Sequence, residues 1–422
     1  MFHGERMTMG TGGTRETSDD TLGIGKRLTV VFAVAVGVVV LALFASQPLV
    51  GIIGRQLGLS ADLSGLATTL TLLGYATGLI LLVPLTDIIE NRRLILTTLV
   101  ANVCSLLSLA SASTRVTFLI ASFLVGLSIS AIQMLVPVAA SLSSEARRGR
   151  TVGNVMSGLM LGILFSRPIA SLVTEAFGWR TLYGMLGLAV AILAFVLALF
   201  IPAFRPSGRG SYLQLIGSLG TILKQEPILR RRAASQAMCM ATFSVFWTAI
   251  ALRLAQAPFE LGQTGIALFA LAGAAGAVVA PIAGRAGDRG HTRPATALAH
   301  VAVIAAMVLA YLGGTATIGS STVSLAVLLV AAVLLDLGVI ADQTLGRRAI
   351  NLLRPEARGR TNGLFTGLFF LGGAAGSALS GFAWNAWGWQ GVCVVGLVFG
   401  VAAIGVSLSD RSHLNGDHCV GK

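Results

Sequence analysis

Val83-Pro-Leu-Thr-Asp-Ile-Ile-Glu-Asn-Arg-Arg93 stands between two long apolar runs and carries carboxylates and two adjacent guanidinium groups. Charges of this kind are expensive inside a bilayer, so the stretch reads as a loop between two membrane-spanning helices. Far down the chain, Gly284-Arg-Ala-Gly-Asp-Arg-Gly-His-Thr-Arg293 repeats the pattern. It again follows an apolar run, and Asp288 leads an arginine, Arg293, by five residues, as Asp87 leads Arg92.

Working outward, the chain has 422 residues, of which 55% are hydrophobic and only 11% charged, and a mean hydropathy of +0.83. That leaves too little polar surface to cover a soluble globule, so a membrane protein is expected. Twelve apolar runs of about twenty residues, the length a spanning helix needs, begin with Leu28 to Val50; the tenth covers Val323 to Leu345. The expected organisation is a tail over residues 1–27, a six-helix bundle over 28–204, a connector over 205–232, a second six-helix bundle over 233–409 and a tail over 410–422. The first tail lacks an apolar core followed by a small-residue cleavage site, so it does not read as a signal peptide. In the connector, Tyr212, Leu215, Leu219 and Leu223 recur at helical spacing among polar neighbours, which predicts an amphipathic surface helix. The Arg230-Arg-Arg232 run that closes it fits an anionic-lipid contact.

Arginines mark the orientation. Arg92, Arg93, Arg147, Arg148, Arg150, Arg285, Arg289, Arg293, Arg347, Arg348, Arg354, Arg358 and Arg360 fall in loops on one side, and little beyond Arg55, Arg115, Arg180 and Arg253 on the other. The positive-inside rule puts the first set, and with an even number of spans both termini, in the cytoplasm of an inner-membrane protein. The formal net charge of +13 is thereby spread over many loops, which argues against a nucleic-acid groove. Cys104, Cys239, Cys393 and Cys419 stand singly, without disulfide or zinc spacing. His413, His418 and Cys419 read as stray tail residues, and neither a metal nor a cofactor is expected.

The chain also repeats internally. Glu145-Ala-Arg-Arg-Gly-Arg-Thr-Val-Gly153 matches Glu356-Ala-Arg-Gly-Arg-Thr-Asn-Gly363, and with Arg150 set on Arg360 the pair Gly178-Trp179 superposes on Gly388-Trp389 without a gap. The second half is therefore read as a copy of the first in the same orientation.

The two charged loops resemble the signature between helices 2 and 3 of the major facilitator superfamily and its degenerate copy between helices 8 and 9. The resemblance implies an all-α membrane protein of twelve transmembrane helices in two pseudo-symmetric six-helix bundles, with a substrate site near mid-membrane between them. It makes Asp87, Arg92, Arg93, Asp288, Arg289 and Arg293 conformational gate residues. Across residues 28 to 409 the chain is similar to a bacterial branch described as arabinose-efflux-like or multidrug-efflux-like. The fifth helix has Ser166-Arg-Pro-Ile-Ala-Ser171 where drug antiporters of the superfamily carry Gly-Pro-x-x-Gly-Gly.

Few polar groups lie inside the spans. Arg167 is about sixteen residues, roughly 24 Å of helix, beyond Arg150, and either contacts substrate or forms a gating salt bridge. Asp336, the acidic residue read as deep, lies about twelve residues from Arg348 and is either a proton carrier or a structural hydrogen-bonding group. Gln47, Gln133, Gln343 and Trp247 complete the cavity candidates. Gly158, Gly162, Gly372 and Gly376 let helices approach closely. With no nucleophile constellation and no nucleotide-binding loop, the expectation is a non-enzymatic secondary transporter that exports small organic molecules by proton antiport. An importer by proton symport is the alternative, with a membrane sensor a more distant one. Substrate, proton and membrane lipid are the expected partners, and a monomer the expected state.

Overall fold

The computed structural model describes residues 26–59, 63, 65–203, 211–315, 319–353 and 358–409. The outer parts of both tails, His413, His418 and Cys419 among them, lie outside these residues. Among the described residues eleven helices are long and apolar enough to cross a membrane, and the last is two spans joined across Gly388. In chain order spans 1 to 10 are Arg27–Leu57, Leu66–Asp87, Asn91–Ala110, Arg115–Ser141, Glu145–Phe177, Trp179–Phe200, Pro227–Leu254, Gln263–Asp288, Thr292–Gly314 and Ser321–Asn351. Gly359–Leu408 supplies span 11 before Gly388 and span 12 after it.

Several helices outlast the apolar runs that announced them. Span 1 continues seven residues past Val50, and span 10 runs to Asn351, so Arg347 and Arg348 belong to a helix and not to a loop. Span 7 starts at Pro227, a residue suited to a first helical turn because its missing N–H needs no partner there, so Arg230, Arg231 and Arg232 ride its first turns.

Glycine places the sharp corners. Gly178 (φ 84°) and Gly388 (φ 60°) occupy backbone conformations that L side chains rarely adopt. Each is followed by a buried tryptophan, Trp179 or Trp389, so the matched sequence pairs build matching hairpins in the two halves. Packing repeats as well: span 1 lies on span 5 and span 7 on span 11, span 2 on span 4 and span 8 on span 10, span 3 on span 6 and span 9 on span 12. Phe195, Leu188, Val278 and Val398 point outward, an apolar exterior suited to lipid and not to water. The chain is thus an all-α, multi-pass membrane fold of two related halves.

The connector contributes the helix Tyr212–Gln225, opened by a capping box in which Ser211 and Gln214 satisfy each other's backbone N–H groups. Its apolar face does not await lipid. Leu219 and Ile222 are buried against Leu229, Ile350, Leu364 and Phe365 of the second half, and the Tyr212 hydroxyl donates to the Leu81 carbonyl (3.0 Å) in the first.

Candidate functional site

Three spans break at polar or small residues. In span 1 the α-helix stops at Phe44 and a 3-10 turn, Gln47–Leu49, with Pro48 at its start, leads into a second helix. In span 8 a 3-10 turn, Leu271–Ala274, separates two helical pieces. In span 4 the break falls at Ser130. A broken helix frees backbone and small residues to line a site at membrane depth, and the breaks in spans 1 and 8 meet one cluster of side chains.

Arg167 lies at its centre, only 3% exposed. Its Nε donates to Gln47 Oε1 at 2.7 Å, and its guanidinium carbon sits 4.2 Å from the Trp247 ring centroid and 5.1 Å from those of Phe44 and Phe243. Cation–π contacts of this closeness hold a desolvated guanidinium by about 2 kcal/mol. From span 10, Asp336 accepts a hydrogen bond from Trp247 Nε1 at 2.9 Å. Gly273, at the span 8 break, separates the two charges: a Cβ there would fall 2.7 Å from Asp336 Oδ2 and 3.6 Å from Arg167 Nη1. Any side chain at 273 would push the carboxylate away from the guanidinium. Two donors of this cluster have no partner among the described residues, Arg167 Nη2 and Gln47 Nε2. Buried donors are nearly always satisfied, so this pair is available to a ligand.

The cluster is therefore built by both halves, Gln47 and Arg167 from the first and Trp247, Gly273 and Asp336 from the second. At the arginine-poor end the halves close against each other beside it. Ser377 Oγ donates to the Gly65 carbonyl at 3.2 Å, Gly51 lies against Leu252, and Thr264 donates to Glu175. At the arginine-rich end they part around a cavity of about 570 Å³, lined among others by Gln133, Leu159, Arg347, Gly363 and Thr366. Leu159 is eight residues before Arg167, roughly 12 Å along span 5.

The other expected residues divide. Gln133 lines the cavity and donates to the Tyr75 hydroxyl (3.3 Å). Gln343 is half-buried and joins neither the cavity lining nor the Arg167 cluster. Asp87 pairs across the halves with Arg360 (3.9 Å), whereas Asp288 pairs within its own half with Arg348 (2.9 Å). Arg92 Nη2 donates to the Ala198 carbonyl of span 6 (2.7 Å), inside the first half. Arg93, Arg289 and Arg293 are exposed. Gly158 and Gly162 lie against the Ala33 and Gly37 carbonyls of span 1, and Gly372 and Gly376 against those of Ala237 and Ala241 of span 7. The glycines thus weld each half internally and do not line the interface between halves.

Asp336 is not the only deep acid. Asp342, six residues on, is 2% exposed and lies 3.4 Å from His300 Nε2. Cys239 completes a fully buried group whose ligand atoms all lie within 4.8 Å of one another, a donor set able to share a proton or take a soft metal ion. It sits among spans 7, 9 and 10 of one half, away from the interface. The signal that could have revealed it was a histidine inside an otherwise apolar run, at position 300.

Comparison with known proteins places this arrangement. Residues 32–341 match the model of the Major Facilitator Superfamily. The chain is 36% identical over 369 residues to the Uncharacterized transporter YgaY of Escherichia coli O157:H7, covering 87% of this chain and 92% of the relative. Among solved structures, the nucleoside transporter NupG superposes with a TM-score of 0.70 at 13% identity, over 90% of this chain and 98% of that one. A bacterial homolog of the human lysosomal transporter Spinster, solved in an inward-facing and unoccupied conformation, gives 0.69 at 12% identity, over 90% and 94%.

Proposed function

The chain belongs to the major facilitator superfamily and is a membrane transporter, and from that premise we propose that it moves a small organic molecule by alternating access through the Arg167 cluster, driven by protons carried on Asp336. One observation carries the reading: a charged, aromatic-lined cluster is assembled half from each bundle at the place where rocking of the bundles would make and break it. The closed end beside Arg167 and the cavity at the other end fit one state of such a cycle. In this proposal the arginine-rich end, with both termini, faces the cytoplasm.

Asp336 is suited to coupling because its carboxylate is shielded from water, held by Trp247 and set opposite Arg167. A proton gradient equivalent to 100 mV supplies about 2.3 kcal/mol per proton, enough to concentrate a cargo about fiftyfold; for a proton moving with a monoanion the net charge is zero, and the pH difference alone supplies it. Export by antiport, which the likeness to efflux-like permeases suggests, needs a cargo that displaces the proton from Asp336. Import by symport needs one that binds with it. The facing of Asp336 and Arg167 favours the second for an anionic cargo, because a proton on the carboxylate leaves the guanidinium free for the ligand.

A substrate panel in proteoliposomes, with and without a pH gradient, tests the reading. Asp336→Asn is expected to abolish gradient-driven accumulation while leaving exchange of substrate across the membrane. Undiminished gradient-driven accumulation in that variant would make Asp336 structural.

A further inference from the structure

We infer that the cargo is a small organic anion with an apolar or aromatic body, and that it binds together with one proton; this rests on the transport reading above. The first ground is the pair of unpartnered donors. Arg167 and Gln47 are fixed to each other through the Nε–Oε1 bond, which leaves Arg167 Nη2 and Gln47 Nε2 as neighbouring buried donors with nothing to donate to among the described residues. A carboxylate offers two oxygens and about four lone pairs and can satisfy both, one of them through a charge-assisted bond. An ammonium would bring only donors and a like charge. Phe44, Phe243 and Trp247, which already surround the guanidinium, supply apolar surface for the rest of the molecule.

The second ground is the approach. Arg347 lines the cavity and makes no hydrogen bond or ion pair among the described residues. The cavity's other cation, Arg360, is already paired with Asp87, so among the described residues Arg347 is the cavity's positive charge without a carboxylate partner. Low-dielectric walls focus such a field and raise the local concentration of anions.

The third ground is what faces Asp336. Span 5 brings Arg167, span 1 brings Gln47, span 7 brings Trp247 and span 8 brings Gly273. Span 9 meets span 10 at Gly338 through Ala299 and Val303, which are apolar, and the His300–Asp342 pair lies further along toward the arginine-rich end. Arg167 is therefore the charge opposed to Asp336. When Asp336 takes a proton, the guanidinium loses its counter-charge and the anion replaces it. One proton and one monoanion enter and leave together, so the local charge is the same in the empty and loaded states. Binding should then strengthen as pH falls, the opposite of what competition between proton and cargo would give.

The test uses the purified full-length protein and thermal-shift titrations with matched probes: benzoate, phenylacetate and hexanoate against benzylamine, phenethylamine and hexylamine, and against the corresponding alcohols, at pH 5.5 and 7.5. The carboxylates, with pKa values of roughly 4 to 5, stay mostly ionised at both. We expect carboxylates to stabilise the protein, with several-fold tighter apparent affinity at pH 5.5, and amines to leave it unchanged. Asp336→Asn should keep carboxylate binding and lose its pH dependence. Arg167→Gln should weaken binding about tenfold or more, Arg167→Lys should keep the preference for carboxylates, and Arg347→Gln should weaken binding about threefold. A panel in which no carboxylate binds, in which amines bind more tightly, or in which carboxylate affinity rises with pH overturns the inference. A carboxylate that binds as expected yet is not carried into proteoliposomes would instead sink the transport reading and leave the anion site standing.

Discussion

Gly162 of span 5 lies against the Gly37 carbonyl of span 1, and Gly372, its equivalent in span 11, lies against the Ala237 carbonyl of span 7. Both spans then end at a glycine of positive φ followed by a buried tryptophan. Five residues after the shared glycine the first half has Arg167 and the second has Ser377. Arg167 holds Gln47 and three aromatic rings, whereas Ser377 closes the arginine-poor end through Gly65 and Thr248. Here a shared position helps to build the bundle, and a position that differs between the halves helps to build the site.

The largest effect should come from attacking what repeats. A Cβ at Gly162 would lie 2.3 Å from the Gly37 oxygen, and one at Gly372 2.1 Å from the Ala237 oxygen, distances that force whole helices apart. Gly162→Leu and Gly372→Leu are each expected to remove most of the folded, monodisperse protein from size-exclusion profiles, since overpacking alone costs about 1–3 kcal/mol before backbone displacement is added. If one half tolerated the change and the other did not, the structural equivalence of the copies would fail.

Next comes the broken position itself. Arg167→Ala should leave expression near normal and lower transport by about a hundredfold, about 2.7 kcal/mol, because the free donor Arg167 Nη2, the bond that fixes Gln47 and the counter-charge of Asp336 vanish together. Ser377→Ala removes a hydroxyl whose partners, Gly65 and Thr248, help to seal one end of the interface. Its effect on initial transport rates is expected to be about threefold at most. Equal losses in the two variants would mean that the asymmetry has no functional content.

The contrast also explains which features are legible in the sequence. Burying a charge is so costly that Arg167 and Asp336 announced themselves against an apolar background, and Gln47 beside Pro48 marked a break. Phe44 and Phe243 carried no such signal, since an aromatic residue in an apolar run is what lipid or packing would also select. Arg347 was hidden for a different reason: read as a loop arginine, it lies inside a helix that runs to Asn351 and reaches the cavity wall. His300 and Asp342 lie 3.4 Å apart within one half, but they stand in different spans, and nothing in the sequence links one to the other. The fold, which depends on run length and loop charge, was thus far more legible than the partners of each polar group.

The smallest effect sharpens a second broken symmetry, between the two charged loops. Asp87 reaches across the halves to Arg360, whose Nη1 also donates to Ser218 of the connector helix at 3.0 Å. Asp288 stays within its half on Arg348, and its side chain is 71% exposed. A half-exposed ion pair is worth about 1 kcal/mol at most, but one that spans the halves exists in only some of the transporter's states. Its loss therefore shifts the balance between states by up to about fivefold, and Asp87→Asn should slow transport by about that factor. An exposed pair inside one rigid half is present in every state, so its loss cancels from the switching equilibrium however much it contributes to folding. Asp288→Asn should accordingly change transport rates by less than about twofold and move the melting temperature by about 1 °C, measured side by side with Asp87→Asn in the same vesicles. A slowing by Asp288→Asn that matches Asp87→Asn would show that the second loop also engages across the halves in another state.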